Sequence, residues 1–227
     1  MSFPSGGGVV IVVSAASRLC PPGWAGIARL GDAAVITVPD EAQALLFRRA
    51  VADTQVESVE ALMRPGTLRA LLPVVDVLGP ATLAYLAKDG FRPEVGGAAA
   101  GCLPPGHGDL RALAGLAGAE DAAESGIDEI DSPVFVVRDG PEVVAAAGYR
   151  RWPVSTAHLC VLTAPQQRGR GLARRVASEA VAHALDAGLL PQWRARPEAS
   201  RRVAAALGFR ELCGQLSVRL GLAQSLG

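Results

Sequence analysis

The chain has 227 residues, half of them hydrophobic, and its 22 basic and 22 acidic side chains leave no formal net charge. This length suits one large domain or two small ones, and the apolar fraction is enough for a sizeable core. The balanced charge argues against nucleic acid as the main partner, because binding to a phosphate backbone requires a net basic surface.

The cysteines and histidines form no recognisable metal or disulfide pattern. The four cysteines are widely spaced, with no C-x-x-C pair, and the three histidines are scattered, with no H-E-x-x-H spacing. We therefore expect free thiols and no metal cofactor. The stretch from Met1 to Val13 has no basic residues before its apolar run, and that run is too short to cross a membrane. This favours a cytoplasmic protein without membrane association.

Strand and helix signals alternate in the N-terminal part of the chain. Runs of β-branched residues favour strands, two of them joined by a tight turn at Gly31-Asp32, and Asp40 is placed to cap the first helix. Residues 91–107 are rich in glycine, proline and alanine and predict a linker or a long loop. The expected strands are 9–13, 24–30 and 33–38, and the expected helices are 41–51, 56–63, 66–72 and 80–88.

The signal becomes more regular toward the C-terminus. Asp109 is placed to cap a helix over 110–116, and an acidic segment, Glu120 to Asp131, follows it. Beyond this segment, alternating apolar residues predict strands, and an i, i+4 pattern predicts a helix that begins at Leu172 and stops at Gly188. The expected strands are 133–137, 143–150, 157–163, 190–195 and 210–220, and a further helix is expected over 197–207.

The loop between the strand 157–163 and the helix from Leu172 carries the strongest functional signal. Its centre reads Arg168-Gly169-Arg170-Gly171-Leu172-Ala173. Glycines at this junction let the backbone approach a ligand, and the free amides and dipole of the following helix favour an anion, for which a pyrophosphate is suited. The spacing differs from the G-x-G-x-x-G of dinucleotide folds, and the G-K-S/T of a P-loop is absent.

This segment resembles motif A of the GNAT acetyltransferase superfamily, R/Q-x-x-G-x-G/A. Arg168, Gly171 and Ala173 fill the pattern. A second register, Gln166, Gly169 and Gly171, also fits, but its distance from the strand end favours the first. The order of elements after the acidic segment and the ending Leu207-Gly208-Phe209 extend the resemblance over about residues 105–220.

The resemblance implies the fold and the domains. We expect an α/β (α+β) protein in which residues 99–227 form a mixed, mostly antiparallel sheet flanked by helices. Residues 1–98 would form an additional α/β part of unknown role. The segment Leu86-Ala87-Lys88-Asp89-Gly90-Phe91 faintly echoes the ending of such a domain. The N-terminal part is therefore either a degenerate second acetyltransferase half or an unrelated part that shapes the acceptor site.

The resemblance also implies acetyl-CoA as co-substrate and transfer of its acetyl group to a primary amine by direct attack. The backbone of the strand before the loop would pair with the pantetheine arm, and the loop amides would hold the pyrophosphate. Eight arginines against three acids in residues 166–202 suit this polyanionic molecule. The residues expected to bind the cofactor are Val161, Leu162, Thr163, Arg168, Gly169, Arg170, Gly171, Leu172, Ala173 and Arg174.

The catalytic residues are less clear from the sequence, because the tyrosine that often protonates the leaving thiolate in the superfamily is replaced by Ala204. Water, Ser200, Cys213 or Tyr149 are the substitutes we consider. For the general base the nearest titratable residue is His158, whose ordinary pKa suits proton transfer near neutral pH.

The acceptor is expected to be a small-molecule amine or a peptide, and the protein a monomer or a homodimer. The six acids between Glu120 and Asp131 lie where relatives place the helices that line the acceptor site. They would either attract a cationic amine or form a solvated helix face. Two alternatives to an enzyme remain: a CoA-binding protein without transfer activity, with a regulatory or interaction role, and an arginine-rich interaction module.

Overall fold

The computed structural model describes residues 3–52, 58–94, 100–152 and 155–221. The strands in these ranges are β1 (Gly8–Val13), β2 (Ala25–Leu30), β3 (Ala33–Val38), β4 (Val74–Tyr85), β5 (Gly101–Leu103), β6 (Val134–Asp139), β7 (Glu142–Trp152), β8 (Thr156–Thr163), β9 (Leu190–Ala195) and β10 (Arg210–Leu220). The α-helices are α1 (Glu41–Ala52), α2 (Pro65–Leu71), α3 (Gly108–Ala117), α4 (Ala119–Ser125), α5 (Leu172–Asp186) and α6 (Glu198–Ala206).

The chain divides into two compact units. The first consists of Met1–Leu83 and Leu212–Gly227, and the second of Ala84–Glu211. The sequence predicted two domains, 1–98 and 99–227. This division into domains stays a prediction. In space, most of β10 lies in the first unit, although the sequence assigned this strand to the C-terminal domain.

The sheet of the second unit has the strand order β9-β8-β7-β6-β5. Its neighbours are antiparallel except for β8 and β9, which are parallel. Helices cover both faces: α5 packs on β6, β7 and β8 on one side, and α3 and α4 pack on the other. The predicted fold class, a mixed and mostly antiparallel sheet flanked by helices, is confirmed.

Strand β8 lies between the two cores of this unit because its side chains alternate. Leu159 joins the cluster formed with α5 and α6, in which Trp193 and Phe209 also pack. Cys160 and Leu162 point the other way, into the cluster formed with α3. With both faces covered, β8 is the central strand from which the following loop emerges.

The first unit has the strand order β1-β3-β2-β10-β4. β1 and β3 are parallel, whereas β2 is antiparallel to both β3 and β10. Its core gathers residues of α1, α2 and the sheet, including the fully buried Phe47. The predicted hairpin 24–38 and the cap of α1 are confirmed, since Asp40 Oδ1 accepts from the Gln43 amide at 2.8 Å.

Three local predictions are wrong. The helix expected over 80–88 is the end of strand β4, followed by one 3₁₀ turn at Lys88–Gly90, because strand pairing outweighs the helix preference of alanine and leucine. Of the loop expected over 91–107, residues 95–99 lie outside the described residues, and Gly101–Leu103 forms strand β5, which pairs with β6. Helix α3 is capped by His107, whose Nδ1 accepts from the Asp109 amide.

The remaining predicted elements are confirmed within a few residues, with one exception: of the helix expected over 56–63, only a 3₁₀ helix, Val59–Met63, lies in the described residues. None of the helices in the described ranges is long and apolar enough to cross a membrane.

Candidate functional site

Strands β8 and β9 separate halfway along their length. Thr156, Ala157 and His158 of β8 pair with Leu190–Gln192 of β9, and the pairing of the two strands ends there. On its other side β8 remains paired with β7 as far as Thr163. The edge of β8 that faces β9 is therefore available beyond His158 for an added extended chain.

The loop after β8 ends in a helix start that is suited to an anion. Gly169 and Gly171 both have φ of +77°, a left-handed conformation that other residues adopt with strain, and a Cβ on either would meet nothing within 4 Å. Gly171 caps α5 without a side-chain hydrogen bond, and the Arg175 amide bonds back to the Gly171 carbonyl. The amides of the first three helix residues thus have no acceptor within the helix, and the helix dipole adds to their attraction for an anion.

A cleft of about 500 Å³ joins the free edge of β8 to this helix start. Nine of the ten residues predicted to bind the cofactor line it. The tenth, Arg170, donates instead to the side chain of Gln167. Arg168 lines the cleft whereas Gln166 does not, which favours the motif register that begins at Arg168. The structure brings this set together, and its role in binding stays a prediction.

The loop arginines are engaged with carboxylates. Arg168 pairs with Asp121 at 2.5 Å, and Arg174 pairs with Glu94 at 2.6 Å. Both pairs are more than 30 % exposed at each partner, so each contributes modestly to stability and can exchange partners when an anion arrives. The predicted phosphate contacts of these arginines would require such an exchange.

Thr163 supplies an independent indication that a polar ligand fits the cleft. Its Oγ1 is buried and has no hydrogen-bond partner among the described residues. Buried hydroxyls without a partner are uncommon, because each one has lost its hydrogen bonds to water. A ligand with amide groups along the edge of β8 would satisfy it.

The residues predicted as possible proton donors occupy different places in the structure. Ser200 lines the cleft, and its Oγ accepts a hydrogen bond from the Trp193 indole at 3.0 Å, which leaves the hydroxyl proton to be donated. Tyr149 is completely buried, and its hydroxyl lies 2.9 Å from Nδ1 of His183. Cys213 lies in the first unit.

His158 is not among the residues that line the cleft. Its ring stacks on Trp152, with 4.6 Å between centroids, and its Nδ1 lies 2.9 Å from Oε1 of Gln192. The Gln192 amide nitrogen donates to Tyr85, so its oxygen faces the imidazole and Nδ1 carries the proton. Burial lowers the pKa of His158, which keeps the ring neutral. Its role as general base stays a prediction that this geometry does not support.

We expect His158 to act on stability. Its pKa in the folded protein lies below the ordinary value of 6.5, so the unfolded chain binds its proton more readily. The neutral ring therefore contributes to the free energy of unfolding above about pH 6.5. This contribution is lost as the pH falls toward the pKa of His158 in the folded protein. The free energy of unfolding, measured with urea, should be lower at pH 5.5 than at pH 7.5.

The variant His158→Gln should remove most of this pH dependence and lower the stability at pH 7.5 through loss of the Trp152 stack. A variant His183→Gln serves as the control for loss of a ring elsewhere. An unchanged difference between the two pH values in His158→Gln would contradict this assignment.

The acidic segment is partly absorbed into ion pairs. Asp121 and Glu124 line the cleft, and Glu124 pairs with Arg196. Glu129 pairs with Arg150 outside it. The segment therefore lies beside the cleft, and three of its six acids, Asp121, Glu124 and Glu129, are paired with arginines. Attraction of a cationic amine by this segment stays a prediction. The ion pairs leave the segment with less unpaired negative charge than its composition indicated.

Trp193 and Arg194 line the cleft and were missed by the sequence analysis. They come from β9, which the sequence identified as a short strand without any motif. Their position follows from the separation of β8 and β9, a contact between strands about 30 residues apart that no local pattern records. The one feature of the sequence that could have indicated a functional residue here is an arginine within a predicted strand.

Residues 134–213, from the start of β6 into β10, match the family model of the GNAT acetyltransferases. This stretch is similar to the acetyltransferase domains of the GNAT family. The resemblance inferred from the loop and the order of elements is thereby confirmed. A comparison with curated proteins finds no match.

Solved structures with the GNAT fold resemble the chain. A GNAT-family protein from Novosphingobium aromaticivorans is 24 % identical, with a TM-score of 0.52, and the match covers 66 % of this chain and 67 % of that one. A GCN5-related N-acetyltransferase from Kribbella flavida is 15 % identical, with a TM-score of 0.52, over 73 % of this chain and 67 % of that one. At these identities the likeness concerns the fold alone.

Proposed function

We propose that the GNAT domain is an N-acyltransferase that moves an acetyl group from acetyl-CoA to a primary amine. The observation that carries the proposal is the single cleft in which the free edge of β8 runs into the glycine loop and the start of α5. An extended amide-bearing arm could pair with this strand edge, and a pyrophosphate after it could accept from the amides at the helix start. GNAT membership supports the reaction class.

The chain's own residues would bind and orient the donor. The backbone of Val161, Leu162 and Thr163 would pair with the pantetheine arm, and the Thr163 hydroxyl, which has no partner among the described residues, would gain one. The amides from Gly169 to Arg174 would hold the pyrophosphate. When bound, acetyl-CoA supplies an activated thioester, whose acyl group is taken up by the amine while the thiol is released.

Direct attack by the amine suits the side chains of the second unit. Burial raises the pKa of the Cys160 thiol to about 12, so this cysteine is protonated and a poor nucleophile. The cleft carboxylates Asp121 and Glu124 are each paired with an arginine. The domain therefore acts mainly by positioning a neutral amine, with Ser200 as the proton donor closest in role to the missing tyrosine.

Calorimetric titration with acetyl-CoA, followed by thiol release with a panel of primary amines, tests the proposal. We expect saturable binding of one acetyl-CoA and amine-dependent release of CoA. Binding without thiol release for any amine would favour the catalytically silent, CoA-binding alternative. No binding at all would overturn both and favour an interaction module.

The acceptor is proposed to be a small-molecule amine or a peptide, and the protein a monomer or a homodimer in the cytoplasm. Neither nucleic acid nor a membrane is proposed as a partner.

A further inference from the structure

Arg194 occupies a particular place in the cleft. On β9 it alternates with Trp193 and Ala195, which pack in the core beside α5 and α6. Arg194 therefore points to the opposite face of the sheet, where its electrostatic neighbours are Glu129, Cys160 and His158. This face is the one that α4 and the acidic segment cover, beside the point where β8 and β9 separate.

The guanidinium of Arg194 makes no hydrogen bond or ion pair with any of the residues in the described ranges. Glu129, the acid whose charge acts on Arg194, pairs with Arg150, and Glu124, which lines the cleft, pairs with Arg196. Arg194 is partly buried, and burial lowers its pKa, yet an arginine remains charged at neutral pH. A half-buried cation whose donors make no direct bond to an anion is costly, so an anionic ligand that accepted those donors would bind favourably.

The other arginines that line the cleft differ in this respect. Arg168 pairs with Asp121, Arg174 with Glu94, and Arg202 with Glu198. Arg194 is thus the cleft arginine that retains its full donor capacity toward a ligand, within the part of the chain that the structure describes. Its planar fork of donors matches a carboxylate in two parallel hydrogen bonds.

We propose that Arg194 binds a carboxylate of the reacting substrates, and that the acceptor is an amine that also carries a carboxylate, such as an amino acid. This inference rests on the proposed acyltransferase function. The same chemistry is available from a dicarboxylic acyl group on the CoA thioester, and the experiment separates the two sources.

The experiment compares matched amines with acetyl-CoA as donor. Thiol release is measured for free α-amino acids and for their carboxamides, which keep the amine and lose the negative charge. We expect kcat/KM to favour the amino acids by about 10- to 100-fold, the ratio that one charge-assisted pair supplies. Arg194→Gln should remove this preference by raising KM for the amino acids alone, and Arg194→Lys should keep part of it.

The control variant is Arg111→Gln, which removes one exposed arginine on α3 of the same unit. It should keep the preference, and calorimetry should show unchanged acetyl-CoA binding in both the Arg111 and the Arg194 variants. These measurements separate loss of carboxylate recognition from loss of fold or of cofactor binding.

The second arm compares succinyl-CoA with acetyl-CoA as donor for a neutral amine. A preference for succinyl-CoA that Arg194→Gln abolishes would assign the carboxylate to the acyl group and support carboxylate binding by Arg194. Equal use of amino acids and carboxamides and of both donors would overturn the inference while leaving the proposed function intact. Failure to bind acetyl-CoA, or to release thiol with any pair, would overturn the proposed function and this inference with it.

Discussion

Replacing Gly171 by glutamate is expected to weaken acetyl-CoA binding by about 100-fold or more. Gly171 caps α5 with φ of +77° and has open space around it on the side of the cleft. A glutamate there places a carboxylate among the amides that would receive the pyrophosphate, so it adds both bulk and charge repulsion. Calorimetric titration with acetyl-CoA measures the effect.

Gly188→Glu is the matched control for this variant. Gly188 follows the other end of α5, has φ of +71°, and likewise has nothing within 4 Å of an added Cβ. Both variants carry a similar backbone strain of about 1–2 kcal/mol and the same added charge, at opposite ends of the α5 dipole, and of the two only Gly171 lines the cleft. Equal losses of affinity in the two variants would contradict a pyrophosphate site at the helix start.

Replacing Gly208 by alanine is expected to lower the free energy of unfolding by about 3 kcal/mol or more. Losses of this size are typical of a steric clash that forces the backbone to move. Gly208 has φ of +97°, and an added Cβ would collide with the carbonyl oxygen of Gly90. Next to this contact, the Arg92 amide donates to the Leu207 carbonyl at 3.0 Å. The methyl group would push these two segments of the second unit apart and strain or break that bond.

The control is Gly188→Ala, which has a similar positive φ but open surroundings. It should cost about 1 kcal/mol, the strain of a left-handed alanine alone. Urea unfolding of both variants measures the difference. If the two variants lose equal stability, the close approach of Gly90 and Gly208 does not constrain the fold.

These two glycines show why the superfamily ending is informative in this chain. The Leu207-Gly208-Phe209 ending was identified from the sequence alone. The structure shows why a glycine fits there, because a side chain at position 208 would collide with the Gly90 carbonyl. Phe209 packs edge-to-face on Trp193, with 5.5 Å between ring centroids, behind the cleft. The Gly90 that approaches Gly208 belongs to the stretch that faintly echoes the same ending. Whether residues 1–98 are a degenerate acetyltransferase half stays a prediction.

The absence of the superfamily tyrosine has a local structural consequence. Ala204 is 3 % exposed and packs in the core formed with α5 and β9, so it presents no polar group to the cleft. Ser200, one turn earlier on the same helix, lines the cleft instead. Under the proposed function, Ser200 is therefore the hydroxyl of α6 that could donate a proton to the leaving thiol.

Local sequence patterns are enough to predict the glycine loop after β8 and most elements of the second unit. Alternation in β6 to β8, the i, i+4 pattern of α5 and the glycines between them are local signals, and they led to the GNAT family and to nine of the residues that line the cleft. Such patterns are readable because each depends on neighbours within one or two turns of chain.

The tertiary structure decided what depends on distant segments. Strand pairing made β4 out of a stretch with helical composition and assigned most of β10 to the first unit. The separation of β8 from β9 exposed Arg194 to the cleft and left His158 outside it, although both residues lie on strands that the sequence had found. The positions of these two residues depend on where β8 and β9 separate, and the free donors of Arg194 depend on which acids pair with other arginines. Both depend on contacts between distant segments, which the sequence of a single strand does not show.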